Sequence, residues 1–151
     1  MFEQSVVVTG GGDESIHDLV ALANEVRREY FADEPALPIR WGVRPSRKRR
    51  RSIRLGSYDH RSHEIRVHPT LNAAFVPRFF IQSIIFHEYL HHILGASHNR
   101  RFKTFEARYH FHREAQQWLK SNLPLLLGRR RPPVPMKVLP ETASASQLAL
   151  F

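Results

Sequence analysis

The 151-residue sequence contains no cysteine. Disulfide bonds and cysteine-ligated zinc sites, including zinc ribbons, are therefore excluded. The absence of cysteine is compatible with a reducing compartment, and we expect a cytoplasmic protein.

Long hydrophobic runs are also missing. The longest apolar-rich stretch, 79–94, is interrupted by six polar residues: Gln82, Ser83, His87, Glu88, His91 and His92. It therefore falls short of the roughly 18–20 apolar residues that a membrane-spanning helix needs. The first residues lack the basic and then apolar pattern of a secretory signal. We expect a soluble protein without a membrane partner.

Acidic residues are few, since 14 Asp and Glu stand against 23 Lys and Arg, for a formal net charge of +9. This balance favours an acidic partner, of which nucleic acid is the commonest. One run of five cations suits phosphate groups, and it consists of Arg47, Lys48, Arg49, Arg50 and Arg51. Trp41 and Tyr58 flank the run and could stack on bases. A solvated basic hairpin is the alternative interpretation.

The chain has the length and the apolar fraction, 42%, of one domain with a sizeable core. We predict a flexible lead-in at 1–13, a folded domain at 14–127 and a flexible, basic, proline-rich tail at 128–151.

The first half of the domain is predicted to be a helix followed by a small sheet. Apolar residues at helical spacing predict a helix at 14–31, with cap residues at 13–15. Alternation predicts strands at 39–43, 52–57 and 63–68, the last two pairing as an antiparallel hairpin.

The second half is predicted to be helical. Apolar residues lie on nearly every side of a helix at 78–94, which is typical of a buried central helix. Pro77 suits its start and Gly95 its end. A second long helix is predicted at 97–121. The predicted class is α+β, with a small antiparallel sheet packed on a central helix and flanking helices.

The central helix carries an H-E-x-x-H motif, which runs from His87 to His91. Residues i and i+4 lie on one helix face, so both imidazoles can reach one metal ion. Glu88 lies beside them and can act as the base that takes a proton from water. Histidines satisfied by ordinary packing are the alternative, but ionisable groups in an apolar helix are costly unless they are paired or metal-bound.

A catalytic zinc ion usually has three protein ligands. We predict His98 as the third, because Gly95 lets the chain turn and His98 then opens the next helix. Glu106 is the rival ligand; if His98 binds the metal, Glu106 could instead orient a ligand imidazole. Four further side chains could polarise a substrate carbonyl, although each is more often a packing or surface residue: Tyr58, Tyr109, His110 and His112.

The order of these signals resembles the SprT-like (Spartan-type) metallopeptidase domain over about residues 16–120. The matching segments are Arg28-Glu29-Tyr30-Phe31, Pro38-Ile39-Arg40-Trp41, Glu64-Ile65-Arg66-Val67-His68-Pro69-Thr70-Leu71, Ile84-Ile85-Phe86-His87-Glu88 and His98-Asn99-Arg100-Arg101-Phe102. The resemblance implies a compact zincin fold, zinc on His87, His91 and His98, and Glu88 as the catalytic residue. Known relatives cut proteins crosslinked to DNA, which would fit the positive charge.

The sequence departs from that family in two ways. It lacks the cysteines of the C-terminal zinc ribbon that bacterial members often carry, and the spacing from His91 to His98 is short. In the second respect it is similar to the small gluzincin-like and Wss-type peptidases.

Three functions are therefore open. The first is a zinc endopeptidase acting on protein or peptide, with the strand at 63–68 as the edge along which an extended substrate lies. The second is a nucleic-acid-binding module with a structural or degenerate metal site, although an intact Glu88 is unnecessary there. The third is a hydrolase of a bond other than the peptide bond.

Overall fold

The computed structural model describes residues 15–43 and 52–128. The lead-in at 1–13, the cation run Arg47–Arg51 and the tail beyond Gly128 lie outside the described residues. The elements in chain order are α1 (Leu19–Tyr30), β1 (Ile39–Trp41), β2 (Gly56–Asp59), β3 (Glu64–Val67), a 3-10 turn (Pro69–Leu71), α2 (Arg78–Leu94), α3 (Arg100–Glu106) and α4 (His112–Leu126).

Helix α1 begins at Leu19 rather than at 14. Asp18 is its cap and accepts a hydrogen bond from the Ala21 amide at 3.1 Å. The preceding residues are held outside the helix because the Asn72 side-chain oxygen accepts the amides of Ile16 and His17, at 2.9 and 3.0 Å. A contact distant in sequence therefore decides where α1 starts.

The three strands form a mixed sheet in the order β1-β3-β2. The predicted antiparallel pairing of β2 with β3 is confirmed, with Tyr58 opposite Ile65. The prediction of a wholly antiparallel sheet is wrong, because β1 pairs parallel to β3. Ile65 and Val67 are fully buried, so the strand that carries them takes the central place, with both of its edges paired.

Helix α2 spans Arg78–Leu94, as predicted, and lies at the centre of the fold, in contact with the other helices and with the sheet. Its apolar side chains are buried on several sides of the helix. Tyr89 accepts a hydrogen bond from the Leu37 amide and donates one to the Pro35 carbonyl, at 3.0 and 3.1 Å. These two bonds attach the loop before β1 to the central helix.

The single helix predicted at 97–121 is wrong, because the chain forms α3 and α4 with a break at 107–111. The side chain of Tyr109 is buried in the break and donates to the Phe79 carbonyl at 2.9 Å. The His110 amide donates to the Tyr30 hydroxyl at 3.0 Å instead of continuing a helix. Pro124 lies inside the last turn of α4.

Within the described residues, no helix has the length and apolar character needed to cross a bilayer.

Candidate metal centre and active site

Helix α2 places His87 and His91 one turn apart on one face, and the loop after α2 brings His98 to the same point. Gly95 ends the helix with φ = +95° and ψ = −173°, a conformation that is essentially restricted to glycine. His98 lies just before α3 rather than inside it, since Asn99 caps α3 by accepting from the Phe102 amide at 3.0 Å.

The Nε2 atoms of the three imidazoles converge. They lie 3.2 Å apart between His87 and His91, 3.0 Å between His91 and His98, and 3.2 Å between His87 and His98. Ligand nitrogens about 2.0–2.1 Å from a tetrahedral zinc ion would be separated by about 3.3 Å, close to the spacing observed. The three side chains therefore fit the ligand set of such an ion.

The opposite nitrogen of two rings has a protein partner, which fixes the ring orientation. His91 Nδ1 donates to the Gly95 carbonyl at 2.9 Å, and His87 Nδ1 contacts a carboxylate oxygen of Glu106. Both rings thus present Nε2 to the shared point. Lone pairs this close repel one another, so the arrangement favours a positive charge between them, either a proton on one ring or a metal ion bound to all three.

The pKa shifts follow the same contacts. Burial lowers the pKa of His91, which keeps its ring neutral and able to bind a metal. Burial also opposes the charge on His87, but the Glu106 contact prevails and raises its pKa. The same pair lowers the pKa of Glu106 against the effect of its own burial. Glu106 meets His87 at Nδ1, which favours the orienting role over the ligand role.

Phe102 packs against all three imidazole rings. Its side chain is fully buried, and its ring centroid lies 5.0, 4.6 and 5.0 Å from those of His87, His91 and His98. The contact of Phe102 with all three imidazoles is visible only in the folded chain.

Glu88 is 5% exposed and faces β2. Burial raises its pKa to about 7, while the positive charges of His87 and Arg54 oppose the rise. The carboxylate is thus poised to exchange a proton near neutral pH, as a general base requires.

Gly56 is a site residue that the sequence analysis missed. A Cβ atom at this position would lie 2.5 Å from Ile84 Cγ2 and 2.9 Å from Glu88 Oε2. The backbone of β2 therefore approaches α2 as closely as it does only because residue 56 lacks a side chain. A glycine inside the predicted strand 52–57 was the available signal.

A cavity of about 400 Å³ lies beside these groups and is lined by His87, Glu88, His91, His98 and Glu106. Its remaining wall is mainly apolar and includes Leu55, Phe80, Ile84 and Leu119. Of the four further side chains considered from sequence, His112 and Tyr109 line this cavity. The Tyr109 hydroxyl is committed to the Phe79 carbonyl, and Tyr58 and His110 lie outside the lining.

No protein-family model matches the sequence, and no curated protein matches it. Among solved structures, the chain is similar to the crystal structure of the metallopeptidase zymogen of Methanocaldococcus jannaschii jannalysin. The TM-score is 0.50 at 17% sequence identity, and the match covers 79% of this chain and 96% of that one. At this identity the likeness shows a shared α+β fold.

Proposed function

We propose that the protein is a zinc-dependent endopeptidase, with His87, His91 and His98 as metal ligands and Glu88 as the catalytic base. The observation that carries the proposal is the convergence of three imidazole nitrogens beside a buried carboxylate in one cavity. The fold shared with a metallopeptidase zymogen supports it.

A bound Zn²⁺ would lower the pKa of a water molecule and polarise the substrate carbonyl. Glu88 takes a proton from the attacking water and delivers it to the nitrogen of the leaving amine. Glu106 and the Gly95 carbonyl hold the His87 and His91 rings in position, so these rings do not reorganise during the reaction.

We propose β2, instead of β3, as the strand along which an extended substrate lies. The strand at 63–68 does not serve as predicted, because β3 is the central strand of the sheet. Strand β2 is an edge strand, and its Gly56 approaches Glu88. An extended peptide that adds to this edge would pass beside the catalytic carboxylate.

We further propose that the protein is a SprT-like peptidase that acts on proteins bound or crosslinked to DNA. This proposal rests on the order of the sequence motifs and on the net charge of +9. The alternative, a nucleic-acid-binding module with a structural metal site, gives no reason for a buried carboxylate in the cavity.

The test is zinc content and cleavage of an unfolded protein substrate by the purified protein. About one tightly held zinc per chain is expected at the three histidines. Glu88→Gln should retain this zinc and lose cleavage, and His98→Ala should weaken zinc binding. Zinc binding without cleavage would favour the binding module or a hydrolase of another bond. A parent protein that binds no zinc after reconstitution would refute the proposal.

A further inference from the structure

A second group of metal-ligating side chains lies outside the cavity, where the β2–β3 hairpin meets the last turn of α2. The Tyr58 hydroxyl oxygen is 2.6 Å from His63 Nδ1 and 2.5 Å from His92 Nδ1. The two imidazole rings meet edge to face with centroids 5.3 Å apart. Two ring nitrogens therefore meet the same phenol oxygen.

The hairpin holds this arrangement at a conformational cost. His63 has φ = +60°, in the left-handed region that non-glycine residues seldom occupy. The Asp59 side chain stabilises the turn by accepting the amides of Arg61 and Ser62, at 2.8 and 3.3 Å. The turn thus holds the His63 ring beside the end of α2.

One hydroxyl is hydrogen-bonded to two imidazoles, which limits how the three groups share their protons. A phenol has one proton, so it can donate to one imidazole and must accept from the other. Glu34 lies 3.7 Å from His92 Nε2. Whichever imidazole carries its proton on Nδ1, the Tyr58 hydroxyl accepts from that ring and donates to the other.

We propose that Tyr58, His63 and His92 form a second site for a borderline divalent transition metal such as Cu²⁺ or Zn²⁺. Imidazole nitrogens together with one anionic oxygen suit these ions better than Mg²⁺ or Ca²⁺. Binding releases the phenol proton to solvent and moves the Nδ1 proton of the donating imidazole to its Nε2, so one proton leaves for each ion bound. His63 is exposed, which leaves a path for the ion and for water as a further ligand.

This site would fix the tip of the hairpin to α2, one residue beyond the His87–His91 motif. A tyrosine hydroxyl is protonated at neutral pH unless a cation binds its oxygen, and burial raises the pKa of Tyr58 further. A phenolate-to-Cu²⁺ charge-transfer band is therefore a specific sign that the site is occupied.

The experiment is a titration of the metal-free protein with Cu²⁺, and separately with Zn²⁺, followed by equilibrium dialysis, metal analysis and absorption spectroscopy. The parent should bind two equivalents of Cu²⁺ and show the charge-transfer band. Tyr58→Phe retains the ring but removes the oxygen, and His63→Asn retains a residue that tolerates positive φ. Each variant should weaken the binding of the second equivalent of Cu²⁺ at least tenfold, and Tyr58→Phe should abolish the charge-transfer band.

Two controls make the result specific. His110→Asn removes an exposed histidine outside both groups and should retain both equivalents and the band. His98→Ala should weaken the other site and leave the band intact. Thermal unfolding of each metal-free variant tests whether it is folded. The proposal would be overturned if the folded parent bound only one equivalent of Cu²⁺. It would also be overturned if Tyr58→Phe and His63→Asn both still bound a second equivalent and showed no band.

Discussion

Glu106 acts on the candidate metal centre through His87, whose Nδ1 atom it contacts. Such a partner fixes the ring orientation and makes the imidazole a better ligand, and its loss typically weakens metal binding about 10–100-fold. We expect Glu106→Gln to lower zinc affinity within this range, as measured by competition with a chromogenic chelator. Glu114→Gln, which lies outside the cavity lining, is the matched control and should not change it. Equal affinity in the parent and both variants would rule out an orienting role.

Burial of Glu88 predicts a pH-dependent stability of the metal-free protein. Its pKa rises from 4.5 to about 7 on folding, so the protonated form is favoured in the folded state. This contribution is complete below pH 4.5 and is lost as the pH rises through about 7. With a chelator present, the free energy of unfolding of Glu88→Gln should therefore increase relative to that of the parent as the pH rises. The difference should reach about 3 kcal/mol above pH 7. Chemical denaturation at several pH values measures this difference, and a gain independent of pH would contradict the prediction.

Strand β2 can lie this close to α2 only because residue 56 is glycine. In Gly56→Ala the new methyl group would meet Ile84 and Glu88, so the strand or the carboxylate must move. We expect kcat/KM to fall about tenfold or more, with zinc content unchanged because no ligand is touched. Gly42→Ala is the control, since its nearest neighbour would be the Val67 carbonyl at 3.7 Å, an ordinary contact. Similar activity of the two variants would show that the close approach is not needed.

Gly95 both ends α2 and orients the ring of His91, a proposed metal ligand. Gly95 and Gly128 have φ = +95° and +78°, and neither would meet an atom within 4 Å as alanine. Alanine at Gly95 should cost about 1–3 kcal/mol of stability through backbone strain, and Gly128→Ala should also destabilise. Zinc affinity should fall in Gly95→Ala alone, because only the Gly95 carbonyl accepts from His91. Thermal unfolding and chelator competition separate the two effects.

For the whole molecule, the net charge of +9 predicts salt-dependent binding to DNA. Binding is best measured in Glu88→Gln, which separates it from cleavage. If the run Arg47–Arg51 contacts phosphates, its replacement by alanine should reduce the slope of log K against log salt by as much as about 4. Replacing Arg100, Arg101 and Lys103 on α3 is the control for a general loss of charge. An unchanged slope in the first variant would remove the run from the DNA interface.

The sequence by itself determined the features that depend on local periodicity and on residue chemistry. The apolar pattern and Gly95 defined α2, and the spacing of His87 and His91 placed both on one face of it, because an i, i+4 pair is fixed by the helix itself. The alternation in 52–57 and 63–68 predicted the hairpin, whose pairing is likewise local.

Only the tertiary structure decided the features that depend on contacts distant in sequence. The buried side chain of Tyr109 divides the predicted long helix into α3 and α4, and the burial of β3 makes the sheet mixed and leaves β2 at its edge. The same long-range packing brings His98 and Glu106 to the helix that carries His87. Periodicity reports which face of an element is apolar, but the partner of that face depends on the path of the whole chain.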